Sequence, residues 1–132
     1  MASEPMIIRP SESAISSQII KGSHLVIGDY PASGLASEVA PLHVHHQDDE
    51  AWQVTSGVLR FRFADRELMA DAGSTVLVPA EVAPTFRNAG SDPSRFLIIV
   101  PTRLHDLITH LHAGNCSDHK EIYQKYASKL LE

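Results

Sequence analysis

Residues 23–100 consist of short apolar stretches separated by turn residues, with no helical pattern between them. In the clearest stretch, 58–63, Leu59, Phe61 and Phe63 alternate with neighbours that include two arginines. Alternation with a period of two is typical of a β-strand that has one buried face. Many such strands at close intervals predict an all-β domain, either an antiparallel barrel or a sandwich.

Further strand candidates lie at 24–27, 68–70, 75–78, 85–87 and 95–100. The segments between them are rich in Gly, Pro, Asn, Asp and Ser, which favour tight turns. Hydrophobic residues make up 43% of the chain and charged residues 20%, a balance that favours a globular protein over a disordered one. The length of 132 residues predicts one domain with one core.

The period changes after Pro101, where apolar residues recur at helical spacing. The first predicted helix ends at Gly114 and carries an apolar stripe formed by Leu104, Leu107, Ile108 and Leu111. Asp118 and Glu121 form a capping-box-like start for a second helix. The stripe of this second helix is Ile122, Tyr123, Tyr126 and Leu130. We expect both stripes to pack on the outer wall of the barrel.

The first 18 residues are rich in Ser, Glu and Pro and show no apolar period, which predicts a loose arm. We therefore divide the chain into an N-terminal arm (1–20), a β-barrel (21–101) and a C-terminal helical extension (102–132).

Net charge and cysteine content restrict the partners and the compartment. A formal net charge of −5 argues against nucleic acid and anionic membranes as partners. No stretch approaches the roughly 20 apolar residues of a membrane-spanning helix. A single cysteine suits a reducing compartment, so we expect a cytoplasmic protein.

The densest cluster of chemically active side chains lies at 41–52. On a β-strand His43 and His45 would point to the same face, about 6.6 Å apart along the strand. Two imidazoles in this arrangement can bind one metal ion, which needs only about 2.0–2.2 Å to each nitrogen. Glu50 joins them only if residues 47–49 turn the chain, so that Glu50 opens the next strand.

Two other interpretations of this cluster remain open at the level of sequence. An unbroken strand would place His46, Asp48 and Glu50 together on a solvated face. Alternatively, the segment is simply a surface rich in histidine and acidic residues. With the turn in place, Trp52 and Val54 line the same interior as Glu50.

These residues resemble the first motif of the cupin superfamily, His-x-His-x3–4-Glu-x6-Gly, which reads here as His43, His45, Glu50 and Gly57. The second motif, Gly-x5-Pro-x-Gly-x2-His-x3-Asn, is matched at Gly73, Pro79 and Asn88. It departs at two positions, because Glu81 stands at the inner glycine and Pro84 at the metal-binding histidine.

The resemblance implies a double-stranded β-helix (cupin or jelly-roll) barrel, here followed by two C-terminal helices, and a homodimer. It also implies one divalent metal ion, such as iron, manganese, nickel or zinc, which cupins typically hold with three histidines and one glutamate. Proline has no side-chain nitrogen, so Pro84 removes one ligand of the four. The remaining His43, His45 and Glu50 match in type the facial triad of non-haem iron oxygenases and some catalytic zinc sites.

Four other residues are candidates for a substrate pocket. Trp52, Phe61 and Phe86 point inward if the strand phases are right, and each is otherwise ordinary core. Glu81 can replace the lost ligand or act as an acid or base, or it is an exposed turn residue.

Three functions are compatible with these residues. The first is a metal-dependent enzyme, a dioxygenase or an isomerase, that acts on a small organic molecule. The second is a non-catalytic module that binds or senses a small ligand with a weakened or lost metal site, as Pro84 suggests. The third is a metal-free enzyme that uses histidine and a carboxylate as acid and base. Phosphate-binding loops and a G-x-S-x-G elbow are absent from the sequence, which disfavours nucleotide use and serine hydrolysis.

Overall fold

The alternating apolar stretches form the strands of antiparallel sheets, as the computed structural model shows for residues 4–10, 16–32, 42–111 and 119–131. In these ranges the strands are β1 Gln18–Lys21, β2 Leu25–Ala32, β3 His43–His45, β4 Glu50–Ser56, β5 Val58–Arg62, β6 Glu67–Asp71, β7 Thr75–Val78, β8 Thr85–Asn88, β9 Ser94–Pro101 and β10 Ser128–Leu130. The helices are α1 Thr102–Leu111 and α2 His119–Lys125. Within the described ranges neither helix is long and apolar enough to span a membrane.

Strand order shows how distant segments are brought together. One sheet has the order β1-β2-β9-β4-β7, a second has β6-β5-β8, and β10 pairs with β3. All pairings are antiparallel. This arrangement confirms the predicted all-β double-stranded β-helix with two C-terminal helices.

The main core lies between the five-stranded and the three-stranded sheets. Its centre consists of aromatic rings, with centroid distances of 5.3 Å for Trp52–Phe61, 5.5 Å for Phe61–Phe86 and 5.1 Å for Phe86–Phe96. Leu59 and Phe61 are fully buried, as their period-two alternation predicts. Burial of such side chains stabilises a fold by about 1.5–3 kcal/mol each.

The two helices contribute to a second core, but not on the outer wall. Leu104 and Leu107 are buried against strands β2 and β9, where they contact Val26 and Val100. The α1 stripe also lines an internal cavity together with residues of the barrel strands. The expectation that both helices pack outside the barrel is therefore wrong, because the apolar stripe of α1 covers this cavity.

The second helix ends earlier than its stripe suggests. It stops at Lys125, and Ala127 then adopts a left-handed backbone (φ 53°), so residues up to Leu130 form β10 instead of helix. Gly114 and Asp118, the predicted stop and start signals, lie outside the described residues.

The first strand begins within the stretch assigned to the N-terminal arm. Gln18 pairs opposite Asp29 at the start of β1, and its side-chain amide donates to the carbonyl of Arg9 at 2.7 Å. Arg95 donates to the carbonyl of Ser16 at 2.7 Å and to Asp29 Oδ2 at 3.1 Å. These bonds attach the described part of the arm to the large sheet.

The two motif glycines both adopt left-handed backbone conformations, with φ 77° at Gly57 and 92° at Gly73. Their surroundings differ. A Cβ at Gly57 would lie 2.3 Å from the Oγ of Ser94, whereas a Cβ at Gly73 would meet nothing within 4 Å. Ser94 cannot move away from such a Cβ without loss, because its hydroxyl forms hydrogen bonds to the backbone of Val58 and to the side chain of the motif residue Asn88.

We therefore expect Gly57→Ala to destabilise the protein more than Gly73→Ala. Both variants carry the left-handed penalty of about 1–2 kcal/mol. Gly57→Ala adds a clash with Ser94 that costs about 1–3 kcal/mol more. Urea-induced unfolding of the two variants measures the difference, and equal losses would contradict the role of the Ser94 contact.

Candidate metal centre and cavity

The turn predicted after His45 is present and brings the three ligand candidates together. Strand β3 ends at His45, and β4 begins at Glu50. One potential ligand atom from each of His43, His45 and Glu50 lies within 4.8 Å of the others. His46 points away and pairs with Glu81 at the surface, so the alternative face of His46, Asp48 and Glu50 does not form.

Contacts on both sides hold this turn. Asp49 Oδ1 accepts a hydrogen bond from the backbone N–H of Ala80 at 2.8 Å. Arg103 of α1 donates to Gln47 Oε1 at 2.7 Å and lies 3.4 Å from the buried carboxylate of Asp48. The turn that returns Glu50 to the histidines is thus connected to the loop before β8 and to helix α1.

His45 is buried, and both of its ring nitrogens face specific side chains. Its Nδ1 lies 2.6 Å from Ser128 Oγ, and its Nε2 lies 3.4 Å from Glu50 Oε1. The Ser128 hydroxyl donates its one proton to the carbonyl of Tyr126 at 3.0 Å. It must therefore accept a hydrogen bond from His45, so Nδ1 carries a proton, and in the neutral imidazole Nε2 then presents a lone pair.

Glu50 Oε1 is the oxygen that faces this lone pair. It is buried and has no hydrogen-bond partner among the described residues. Two electron-rich atoms this close in a buried site require a positive charge between them, either a proton or a metal ion. Two imidazoles and one carboxylate are ligands that iron, manganese, nickel and zinc accept, so the residues present fit a divalent metal ion.

A cavity of about 260 Å³ adjoins the three ligand candidates. Apart from His43, His45 and Glu50, the polar side chains among its described lining residues are Tyr30, Tyr123, Thr85 and the indole of Trp52. The remaining lining is apolar, and the described part includes no lysine or arginine.

The predicted pocket residues divide into two pairs. Trp52 and Phe86 line the cavity. Phe61 lies in the core against both rings, at 5.3 and 5.5 Å, and is not part of the lining. Glu81 lies outside the cavity with its side chain 65% exposed, 3.2 Å from His46 Nδ1. Its placement corresponds to the exposed-turn interpretation.

The two departures from the second motif have different structural consequences. Glu81 adopts a left-handed backbone (φ 75°), which explains why glycine suits this position of the motif. Pro84 is fully buried and lines the same cavity as the three ligand candidates. A hydrocarbon ring therefore faces the cavity where the motif has a nitrogen ligand.

Sequence reasoning did not identify Ser128 or Tyr123 as site residues. Ser128 is 83 residues from His45, and no spacing rule connects them. Tyr123 was part of the predicted α2 stripe, yet it lines the cavity with its ring centroid 5.4 Å from that of His43. A stripe that combines a tyrosine with aliphatic residues gives no sign of which ring faces a site.

The environment of Tyr123 determines how the stability of the protein depends on pH in the alkaline range. Burial, and then the negative charge of Glu50, raise the pKa of Tyr123 above its ordinary value of 10.0. The unfolded chain loses this proton near pH 10 while the folded protein keeps it, so the free energy of unfolding falls as the pH rises above 10.

Tyr123→Phe should therefore reduce the alkaline loss of stability. Urea unfolding of the metal-free protein between about pH 9 and about pH 11 measures this, with wild type falling more steeply than the variant. Tyr30, whose pKa burial also raises, contributes a remaining fall of the same sign in both proteins. Parallel curves would contradict the assigned environment of Tyr123.

Comparison with known proteins agrees with the observed fold. A search of the curated proteins gave no match. Among solved structures, a cupin-2 domain containing protein from Shewanella frigidimarina is 21% identical with a TM-score of 0.57, over 69% of this chain and 84% of that one. A cupin protein from Bacteroides fragilis is 14% identical with a TM-score of 0.60, over 87% of this chain and 92% of that one.

A further structural neighbour is a putative sugar phosphate isomerase from Acidithiobacillus ferrooxidans, 24% identical with a TM-score of 0.54 over 59% of this chain. The alignment covers 50% of that longer protein. At these identities the neighbours establish the fold alone. The family model for the cupin domain matches residues 35–100, half of the chain and the segment that holds both motifs. The chain therefore belongs to the cupin family.

Proposed function

We propose that this cupin is a metal-dependent enzyme that acts on a small, uncharged and largely apolar organic molecule. The favoured reaction is oxidation of the non-haem-iron dioxygenase type, and isomerisation is the second choice. The observation that carries the proposal is the buried Glu50 Oε1, which lies 3.4 Å from Nε2 of His45 and has no hydrogen-bond partner among the described residues.

His43, His45 and Glu50 would hold the ion. A divalent metal bound by three protein ligands supplies Lewis acidity and open coordination positions for substrate and oxygen. The apolar side chains of α1 and of Phe86 wall the cavity and limit access of water. Exclusion of water strengthens every electrostatic interaction of the site.

The titratable groups of the cavity support oxidation over proton transfer. Outside the three ligands, the titratable side chains of the described lining are Tyr30 and Tyr123, and the pKa values of both are raised by burial. A neutral phenol donates a hydrogen bond but is a poor base near neutral pH. With the three ligands engaged by a metal ion, an isomerase that works by acid and base would lack a base here.

The size and lining of the cavity define the substrate class. An apolar cavity of about 150 Å³ holds benzene. A cavity of about 260 Å³ therefore has room for one ring with a short substituent. Because the described lining offers no cationic side chain, a phosphate or carboxylate bound away from the metal ion would be desolvated without a counter-charge. We therefore favour an uncharged substrate over a sugar phosphate such as the one named for the Acidithiobacillus protein.

A non-catalytic binding or sensing module is the second candidate function. Pro84 favours it, because the buried proline replaces a ligand with hydrocarbon and enlarges the apolar part of the cavity wall. Loss of a direct metal ligand should weaken metal binding by at least the factor of about 10–100 that loss of a hydrogen-bond partner of a ligand typically costs.

Metal content tests the proposal directly. We expect elemental mass spectrometry of the purified protein to give about one divalent ion per chain. His43→Ala and Glu50→Gln should lose it, because each removes one of the three ligands. His46→Ala is the matched control, since His46 is a neighbouring histidine that points to the surface and should leave the metal content unchanged.

Absence of metal from the wild type, even after anaerobic reconstitution with iron(II), would contradict the proposal and favour the binding module. Circular dichroism of all variants checks that the fold is intact.

Ligand class is tested separately on the metal-free Glu50→Gln variant, so that no carboxylate can bind through a metal ion. Calorimetry should detect binding of a neutral ring compound such as benzyl alcohol or indole, and no binding of benzoate, a carboxylate of similar size. Ile108→Trp should abolish this binding because Ile108 lines the cavity. Leu77→Trp is the control, since Leu77 is exposed on β7. Preferential binding of benzoate would contradict an uncharged substrate.

A further inference from the structure

We infer that Ser128 is a positioning residue of the metal centre, whose hydroxyl sets the tautomer and the ring orientation of His45. The value of this arrangement for metal binding rests on the proposed function, but the arrangement itself is testable without metal. Ser128 lies in the C-terminal strand β10, outside both cupin motifs of the sequence.

Backbone pairing places Ser128 beside His45. In the antiparallel pairing of β10 with β3, Ser128 is directly opposite His45. Two further backbone bonds flank this pair, His46 N–H to the carbonyl of Ala127 at 2.7 Å and Leu131 N–H to the carbonyl of Leu42 at 3.0 Å. Ser128 is 2% exposed, so water does not compete for its hydroxyl.

The protons of this network can be assigned one by one. Ser128 Oγ donates to the Tyr126 carbonyl at 3.0 Å, which uses its single proton. The 2.6 Å contact with His45 Nδ1 must then be a hydrogen bond from Nδ1–H to Oγ. In the neutral imidazole Nε2 is then left without a proton and faces Glu50 Oε1 at 3.4 Å, in the protonation state that a metal ligand needs.

Without the hydroxyl, the preferred tautomer would reverse. Nδ1–H would lose its acceptor, while a proton on Nε2 would gain the buried carboxylate oxygen of Glu50 as acceptor. Such a proton would occupy the position of the metal. Ser128 therefore keeps the site in a form that binds metal, as outer hydrogen bonds to ligand histidines generally do.

The same segment also contacts the other histidine. In the described residues β10 is the strand that pairs with β3, and the ring of Tyr123 from α2 packs 5.4 Å from that of His43. The C-terminal segment therefore contacts both imidazoles, His45 through Ser128 and His43 through Tyr123.

The tautomer of His45 is the first test. Long-range proton–nitrogen NMR spectra of the metal-free protein, recorded above the titration range of histidine and assigned with His45→Asn, report which ring nitrogen carries the proton. We expect Nδ1–H in the wild type and in Ser128→Thr, which keeps the hydroxyl, and Nε2–H in Ser128→Ala. An Nε2–H wild type, or a Ser128→Ala spectrum without change, would overturn the inference.

Metal affinity is the second test, measured for iron(II) or zinc by competition with a chromogenic chelator. Ser128→Ala should weaken binding by about 10–100-fold, and Ser128→Thr should restore most of it. Ser94→Ala is the matched control, because Ser94 is equally buried and hydrogen-bonded but bonds to Val58 and Asn88. It should lower stability and leave both the tautomer and the affinity unchanged.

The two tests separate the inference from the proposed function. Failure of the wild type to bind either metal would overturn the proposed function, and the NMR result alone would then decide the role of Ser128. Wild-type binding with equal affinity in Ser128→Ala would overturn the positioning role and leave the proposed function intact.

Discussion

A buried carboxylate oxygen of Glu50 and the Nε2 of His45 face each other 3.4 Å apart in the interior of this barrel. Among the described residues this oxygen has no hydrogen-bond partner that would compensate for the loss of water, so the contact requires a positive charge. The rest of the site is arranged around it. The turn at 46–49 returns Glu50 to the histidine strand, the C-terminal strand orients His45, and mainly apolar side chains line the adjoining cavity.

The candidate metal ligands could be predicted from the sequence because local rules bring them together. A period of two puts His43 and His45 on one face. Glu50 is five residues after His45, an odd number, so a turn must separate them if Glu50 is to reach the same face. The strands at 58–63 and 75–78 follow from alternation and turn residues in the same way. The left-handed backbone at Glu81 is also a local property, since the motif has glycine at this position.

Properties that depend on tertiary distance could not be obtained in this way. Strand phase shows that Trp52, Phe61 and Phe86 point inward, but not that Phe61 lies behind the other two. Helical spacing identifies the stripe of α1, but the stripe would be the same on an outer wall as over a cavity. Ser128 had no recognisable signal, because a serine near the end of an amphipathic stripe resembles any exposed polar residue until β10 pairs with β3.

That pairing also has a consequence for how the protein folds. Strand β3 receives its sheet partner from a segment 83 residues further along the chain, one of the longest loops that any pairing in the described structure closes. Closing a longer loop costs more entropy, although this cost grows only slowly with length, and non-local pairings slow folding. During synthesis β3 cannot gain this partner until residues 128–130 have emerged, so the contact of Ser128 with His45 forms only after the rest of the candidate site has been made.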